Sequence, residues 1–128
     1  MQTEGYRLLI SGYRGFENYD FFASVMSEIV RERGKPSQIL QGECPTGADR
    51  LAKRWCIENN VFCSSFPPDW SKGKRGGPER NTTMLQTADV VCAFVHSKSK
   101  GTKDVIKKAK AKGLPLYEVN ITLKMETN

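Results

Sequence analysis

The run Val90-Val91-Cys92-Ala93-Phe94-Val95 is the longest unbroken apolar stretch of the chain. A strand of that composition has no polar side to turn to water, so it must be covered on both faces, as the strands of a parallel sheet are. Shorter apolar bursts fall at Tyr6–Ile10, Gln38–Gln41, Val61–Phe66 and Leu114–Val119. Between them lie segments with helical spacing. Phe22, Val25, Met26, Ile29 and Val30 put one apolar stripe on a helix over Asp20–Arg33, stopped by Gly34 and Pro36. Ala48, Leu51, Ala52 and Trp55 do the same over Thr46–Asn60, where Asn60 suits a left-handed stop. A shorter helix is expected from Gly77-Pro78 to about Gln86, and another from Thr102 as N-cap to Lys112, with Gly113 as its stop.

Strand and helix in alternation through five strands predict an α/β fold, a mostly parallel, doubly wound sheet with helices on both faces. At 128 residues the chain fits one domain. That domain is expected over residues 1–120, with a flexible tail over 121–128. Lys plus Arg number 20 against 14 Asp plus Glu, a net charge of +6. The apolar share, raised by eleven glycines, excludes general disorder. No apolar run approaches the about 20 residues that span a bilayer, and the N-terminus has neither the charge nor the length of a signal peptide. A soluble, cytoplasmic protein with no membrane partner is expected. Cys44, Cys56, Cys63 and Cys92 show no two-residue spacing, and His96 has no second histidine beside it. Reduced structural thiols are expected, with no metal site and no cofactor.

In doubly wound sheets, ligands bind beyond the carboxyl ends of the strands where the winding reverses. After strand one, Ser11-Gly12-Tyr13-Arg14-Gly15-Phe16 offers a glycine that admits a ligand to the backbone and a guanidinium fork suited to phosphate or carboxylate. It is not the three-glycine dinucleotide fingerprint, and no Walker loop is present. After strand two, Gly42-Glu43-Cys44-Pro45-Thr46-Gly47-Ala48-Asp49 runs a turn into a helix start, where free N–H groups attract anions. Asp49 reads equally as the partner of Thr46 in a capping pair and as a ribose or substrate contact.

After strand three, a flexible basic stretch with Lys72, Lys74 and Arg75 precedes Arg80 and Asn81 at a helix start. Its cations read as a lid over an anion, as nucleic-acid backbone contacts, or as a solvated charge run. After strand four, Gly101-Thr102 opens a helix and can cradle a phosphate through N–H groups and a hydroxyl. Lys107, Lys108, Lys110 and Lys112 follow on its outer face and read first as solubility residues. Four glycine-containing loops after four successive strands should emerge on one edge of a parallel sheet.

Several motifs then fall in one order: Gly12-x-Arg14-x-Phe16, Gly47-Ala48-Asp49 with Ala52 and Trp55, and Phe66-Pro67-x-Asp69-Trp70. Gly77-Pro78-x-Arg80-Asn81-x-x-Met84 and Gly101-Thr102 complete it. The set, spanning Tyr6 to Val119, resembles the YspA-type SLOG family. The resemblance implies a Rossmann-like three-layer sandwich, of the superfamily that holds the LOG phosphoribohydrolases and the DNA-processing protein DprA. It also implies recognition of nucleotides or nucleotide-derived signals, in a family common in bacteria and phages. The LOG enzymes carry a proline and two glycines before Gly-Thr and a catalytic glutamate three residues after the threonine. Here Ser97 to Lys100 precede, and Val105 stands at the glutamate position. Asp104 is one residue early, about 100° round the helix.

The leading expectation is binding of a nucleotide or nucleotide-derived ligand, ADP-ribose-like or a nucleoside phosphate, at the carboxyl edge of the sheet. The residues expected to hold it are Ser11, Gly12, Arg14, Phe16, Gly42, Gly47, Asp49, Trp70, Arg80, Asn81, Gly101 and Thr102. Arg14 and Arg80 would neutralise phosphate, and Phe16 or Trp70 would stack on a base. No catalytic residue is assigned. Two alternatives stay open. One is hydrolysis of a nucleotide N-glycosidic bond through Asp49, Asp69, Glu79 or Asp104. The other is binding of single-stranded nucleic acid, prompted by the net charge and the DprA relation. Assembly into a homo-oligomer is also left open.

Overall fold

The computed structural model describes residues 5–122. Strands β1 (Arg7–Gly12), β2 (Gln38–Gln41), β3 (Phe62–Ser65), β4 (Val90–Val95) and β5 (Leu116–Asn120) form one sheet in the order β3-β2-β1-β4-β5, and every pairing is parallel. Helices α1 (Tyr19–Arg33), α2 (Gly47–Asn59), α3 (Gly76–Thr87) and α4 (Lys100–Lys112) complete the expected α/β alternation. The winding reverses between β1 and β4, which pair from Leu8↔Val90 to Gly12↔Phe94.

Period-two alternation along the strands sorts the core into two layers. Leu8, Ile10, Ile39, Val90, Cys92 and Phe94 point to the face covered by α1 and α2, against Phe22, Met26, Leu51 and Trp55. Leu9, Leu40 and Val91 point the other way, onto Met84, Leu85, Val105 and Ala109 of α3 and α4. All of β4 is buried, as its composition requires. Phe94 stacks on Phe16 and Phe22, with ring centroids 5.2 and 5.1 Å away.

Local chemistry sets the ends of the helices. Asn18 caps α1, its side chain accepting the Phe21 N–H at 3.0 Å, and Asn60 ends α2 in the expected left-handed conformation (φ 56°, ψ 48°). Elsewhere the boundaries move. β1 runs on through Ser11 and Gly12, because both pair with β4. The basic stretch expected to be flexible is a 3₁₀ turn, Trp70–Arg75, opened by the Asp69 carboxylate accepting the Ser71 N–H at 3.0 Å and leading straight into α3. Thr102 is not the cap of α4. The helix begins at Lys100 after Ser99, and Thr102 is buried in its first turn.

Lys108 and Lys112 are more than a soluble face: their ammonium groups donate to the carbonyls of Pro78 and Leu85 at 2.8 and 3.0 Å, tying α4 to α3. The tail expected from residue 121 begins on an anchored residue. Ile121 is buried and its N–H donates to Val95 O at 2.9 Å, and Thr122 Oγ1 accepts the Ser97 N–H at 2.9 Å. The remainder of that segment, 123–128, lies outside the described residues.

Candidate functional site

A cleft of about 340 Å³ opens at the carboxyl end of β1 and β4, where the winding reverses. Its floor is the end of β1, Ser11 to Arg14, and its sides are Gly42 and Cys44 after β2, Asp49 of α2, Arg80, Asn81 and Met84 of α3, and the Lys98–Thr102 entry to α4. Close packing of backbone makes this convergence work. A Cβ on Gly12 would lie 2.6 Å from the Ala48 methyl, and one on Gly42 would collide with the Arg80 guanidinium. Gly47 has φ +71°, where side chains are strained, and lies flat against the Tyr13 carbonyl and Arg14 Cα.

Arg80 is a tie as well as a charge. Its Nη1 donates to Gly42 O at 2.5 Å and Phe66 O at 3.2 Å, and its Nε donates to Asn81 Oδ1 at 2.9 Å. These bonds join the loops after β2 and β3 to α3 and leave Nη2 without a hydrogen-bond partner among the described residues. Burial lowers its pKa, with Asp49 opposing. Asn81, only 4% exposed, passes the connection on, its amide donating to Gly101 O at 3.3 Å and Asp104 Oδ2 at 3.1 Å.

Asp49 is 8% exposed and accepts the Cys44 N–H at 3.0 Å. Thr46 stands at the N-cap without a side-chain bond, so the expected capping pair is replaced by a reach of Asp49 back to the β2 loop. Burial raises the Asp49 pKa from its ordinary value, against the pull of the Cys44 N–H, the Arg80 charge and the Gly42 N–H.

At the α4 entry, the Ser99 hydroxyl donates to His96 O at 2.7 Å and accepts the His96 N–H at 2.8 Å. It is thus committed to its own turn and gives no cap to the helix. The N–H groups of Lys100, Gly101 and Thr102 precede the first i to i−4 bond, Lys103 N to Ser99 O, and so have no intrahelical acceptor, and all three residues line the cleft. Arg14, Lys98 and Lys100 line the same space, and among the described residues their side chains have no hydrogen-bond or ion-pair partner. Against these cations and Arg80, Asp49 is the one carboxylate on the walls.

Residues 6–73 match the sequence model of the YspA, cpYpsA-related SLOG family. The chain belongs to that family. The Gene 61 protein of Mycobacterium phage D29 is similar to it, 28% identical over 117 residues that cover 86% of this chain and 93% of the phage protein. The family match ends before Arg80, so this SLOG chain carries its β1 and β2 loops inside the matched segment and its α3 and α4 walls beyond it.

Of the residues predicted for the SLOG site, Ser11, Gly12, Arg14, Gly42, Asp49, Arg80, Asn81, Gly101 and Thr102 meet in the cleft. Phe16, Gly47 and Trp70 do not line it. Phe16 is buried in the core between Phe94 and Phe21, so it presents no face to a ligand. Gly47 acts behind the wall, letting α2 approach the β1 loop. Trp70 is 65% exposed and lies over the Gly76-Gly77 backbone.

The sequence reading did not nominate Tyr13, Cys44, Met84, Lys98, Ser99 or Lys100. Tyr13, stacked on His96 with centroids 4.4 Å apart, is the aromatic residue that the cleft does contain. Val105, at the LOG glutamate position, is fully buried on the inner face of α4, and Asp104 is engaged by Asn81 and by Lys108 at 2.9 Å. Among the described residues, no helix is long and apolar enough to cross a membrane.

Proposed function

We propose that the chain binds a phosphate-bearing nucleotide or nucleotide-derived ligand in the cleft between the ends of β1 and β4. One observation carries this reading: Arg14, Lys98 and Lys100, three cations without side-chain partners among the described residues, converge with the α4 start on a space where Asp49 is the one carboxylate among those residues. Like charges held together without partners are unfavourable unless an anion joins them. In this reading the phosphates lie against Gly101 and Thr102, Arg14 and the two lysines close over them, and Arg80 contributes Nη2. Tyr13 supplies the surface for a base, in place of Phe16 and Trp70.

The first experiment is native mass spectrometry of small molecules carried through purification, followed by calorimetry with the nucleotide found or, failing that, with a panel of nucleoside phosphates, NAD and ADP-ribose. Saturable binding that Arg14→Ala weakens is the expected result. No heat and no shift in melting temperature across the panel overturns the reading.

Asp49 supports a second, hydrolytic reading, because a carboxyl with a raised pKa in a cleft has the properties of a general acid. Release of free base from a panel nucleotide, abolished in Asp49→Asn, would establish it. Intact nucleotides after prolonged incubation would remove it.

A further inference from the structure

The open edge of the sheet at β3, away from the cleft, carries a second chemical feature. Cys56 lies in the last turn of α2 and Cys63 is the second residue of β3. Left-handed Asn60 reverses the chain between them, and the Val61 N–H returns to Cys56 O at 3.0 Å. The reversal sets the two cysteines side by side at the end of α2 and the start of β3, Cys56 inside the core cluster and Cys63 packed against it. Both line one shallow depression of about 450 Å³ together with Lys53, Ile57 and Phe62.

The two sulfurs differ in access and in charge. Cys56 is 3% exposed, whereas Cys63 is half-buried and is the one that a small solute meets. The Cys63 sulfur also accepts from Gln41 Nε2 at 3.8 Å. Its pKa is lowered, first by the neighbouring Cys56 thiol and then by the Gln41 amide and the nearby Lys53 charge, with burial opposing. The neighbouring Cys63 sulfur, with burial, raises Cys56. A thiolate that forms readily beside a held thiol is the arrangement of an attacking and a resolving cysteine.

We propose that Cys56 and Cys63 are a peroxide-oxidisable dithiol, with Cys63 attacking and Cys56 resolving. The Cys63 thiolate attacks one oxygen of hydrogen peroxide, forming an S–O bond and breaking the O–O bond. The departing hydroxide takes up the proton that Cys63 had released and becomes water. The Cys56 sulfur then attacks the Cys63 sulfur and breaks the S–O bond, and the Cys56 proton leaves with that oxygen as a second water. Two thiols become one disulfide while one peroxide is reduced to two waters.

The test uses the full chain, reduced, treated with equimolar hydrogen peroxide, quenched with iodoacetamide and digested with trypsin. The peptide Trp55–Lys72 holds both cysteines and neither of the others. It is expected to become lighter by two hydrogens, to resist alkylation, and to recover both thiols with dithiothreitol. In Cys56→Ser, dimedone should trap a sulfenic acid at Cys63. Two outcomes overturn the proposal in the wild-type chain alone: a doubly alkylated Trp55–Lys72 peptide, or Cys63 sulfinic acid beside a free Cys56. The readout is mass and needs no occupant of the cleft, so its failure and that of the nucleotide reading are separate.

Discussion

The side-chain amide of Asn81 donates to the carboxylate of Asp104 across 3.1 Å, which fastens α3 to α4. Because the Asn81 oxygen also accepts from Arg80, this one buried side chain connects the walls on either side of the cleft. Asn81→Ala leaves the Arg80 Nε and the Gly101 carbonyl without their partner. The expected cost is about 1–3 kcal/mol for unsatisfied buried groups, read as a lower midpoint in urea unfolding, with weaker nucleotide binding alongside.

Arg80 and Arg14 should separate under mutation. Arg80 bridges two loop carbonyls with its guanidinium, so Arg80→Ala lowers stability as well as affinity, and Arg80→Lys does not restore it because an ammonium lacks the planar fork. Arg14 has no such ties. Arg14→Ala should lose about 1.5–3 kcal/mol of binding, the value of a charge-assisted hydrogen bond, while its unfolding midpoint stays with the wild type. Calorimetry and urea titration on the two variants make the comparison.

Asp49 gives a pH dependence of definite sign. Its folded pKa is raised by burial, so the protonated form is the one the fold prefers. Its contribution is fully present below the unfolded value of about 3.9 and is lost as pH rises through the folded value. Relative to Asp49→Asn, the wild type should therefore lose stability across that acid window. At neutral pH the same variant removes the one negative wall charge and should tighten anion binding several-fold. Unfolding midpoints from acid to neutral pH, with one calorimetric titration at neutral pH, check both halves.

Salt distinguishes a small anion from a polynucleotide. Arg14, Lys98 and Lys100 on the cleft wall should make nucleotide affinity fall with ionic strength, and Lys98→Gln with Lys100→Gln should flatten that dependence. A gel shift with single-stranded DNA that responds much more steeply to salt, and that survives both substitutions, would place a nucleic acid on another surface.

Phe94 tests the packing beneath the site. It stacks on Phe16 and Phe22 at the end of β4, so Phe94→Ala should destabilise by about 3–5 kcal/mol, seen as a large drop in thermal midpoint.

The order of elements was legible because hydrophobic period carries it: Val90–Val95 marked a doubly covered strand, and the stripe of Ala48, Leu51, Ala52 and Trp55 marked α2. The switch point followed from winding rules, and with it most of the cleft. Side-chain direction was not legible. Phe16 follows a glycine loop as a ligand-stacking residue would, yet the short β1 turn folds it back under Phe94. Lys98 and Lys100 looked like ordinary loop lysines, since only the folded loop brings them to the cleft wall beside Arg14. Ser99 took the cap position from Thr102 because its hydroxyl closes a turn on His96, a local bond that spacing alone does not announce.

The placement of β1 at the centre of the sheet has a consequence for biosynthesis. A nascent chain that has emerged only as far as residue 73 holds β1 paired with β2 on one side, while its other edge, Leu8 to Gly12, waits for β4. Leu9 and Leu40 lie bare in that intermediate until α3 and α4 arrive. The segment that carries the family signature therefore leaves one edge of β1 and one face of the sheet uncovered, a sticky half-sheet until the sequence of α3, β4 and α4 closes it.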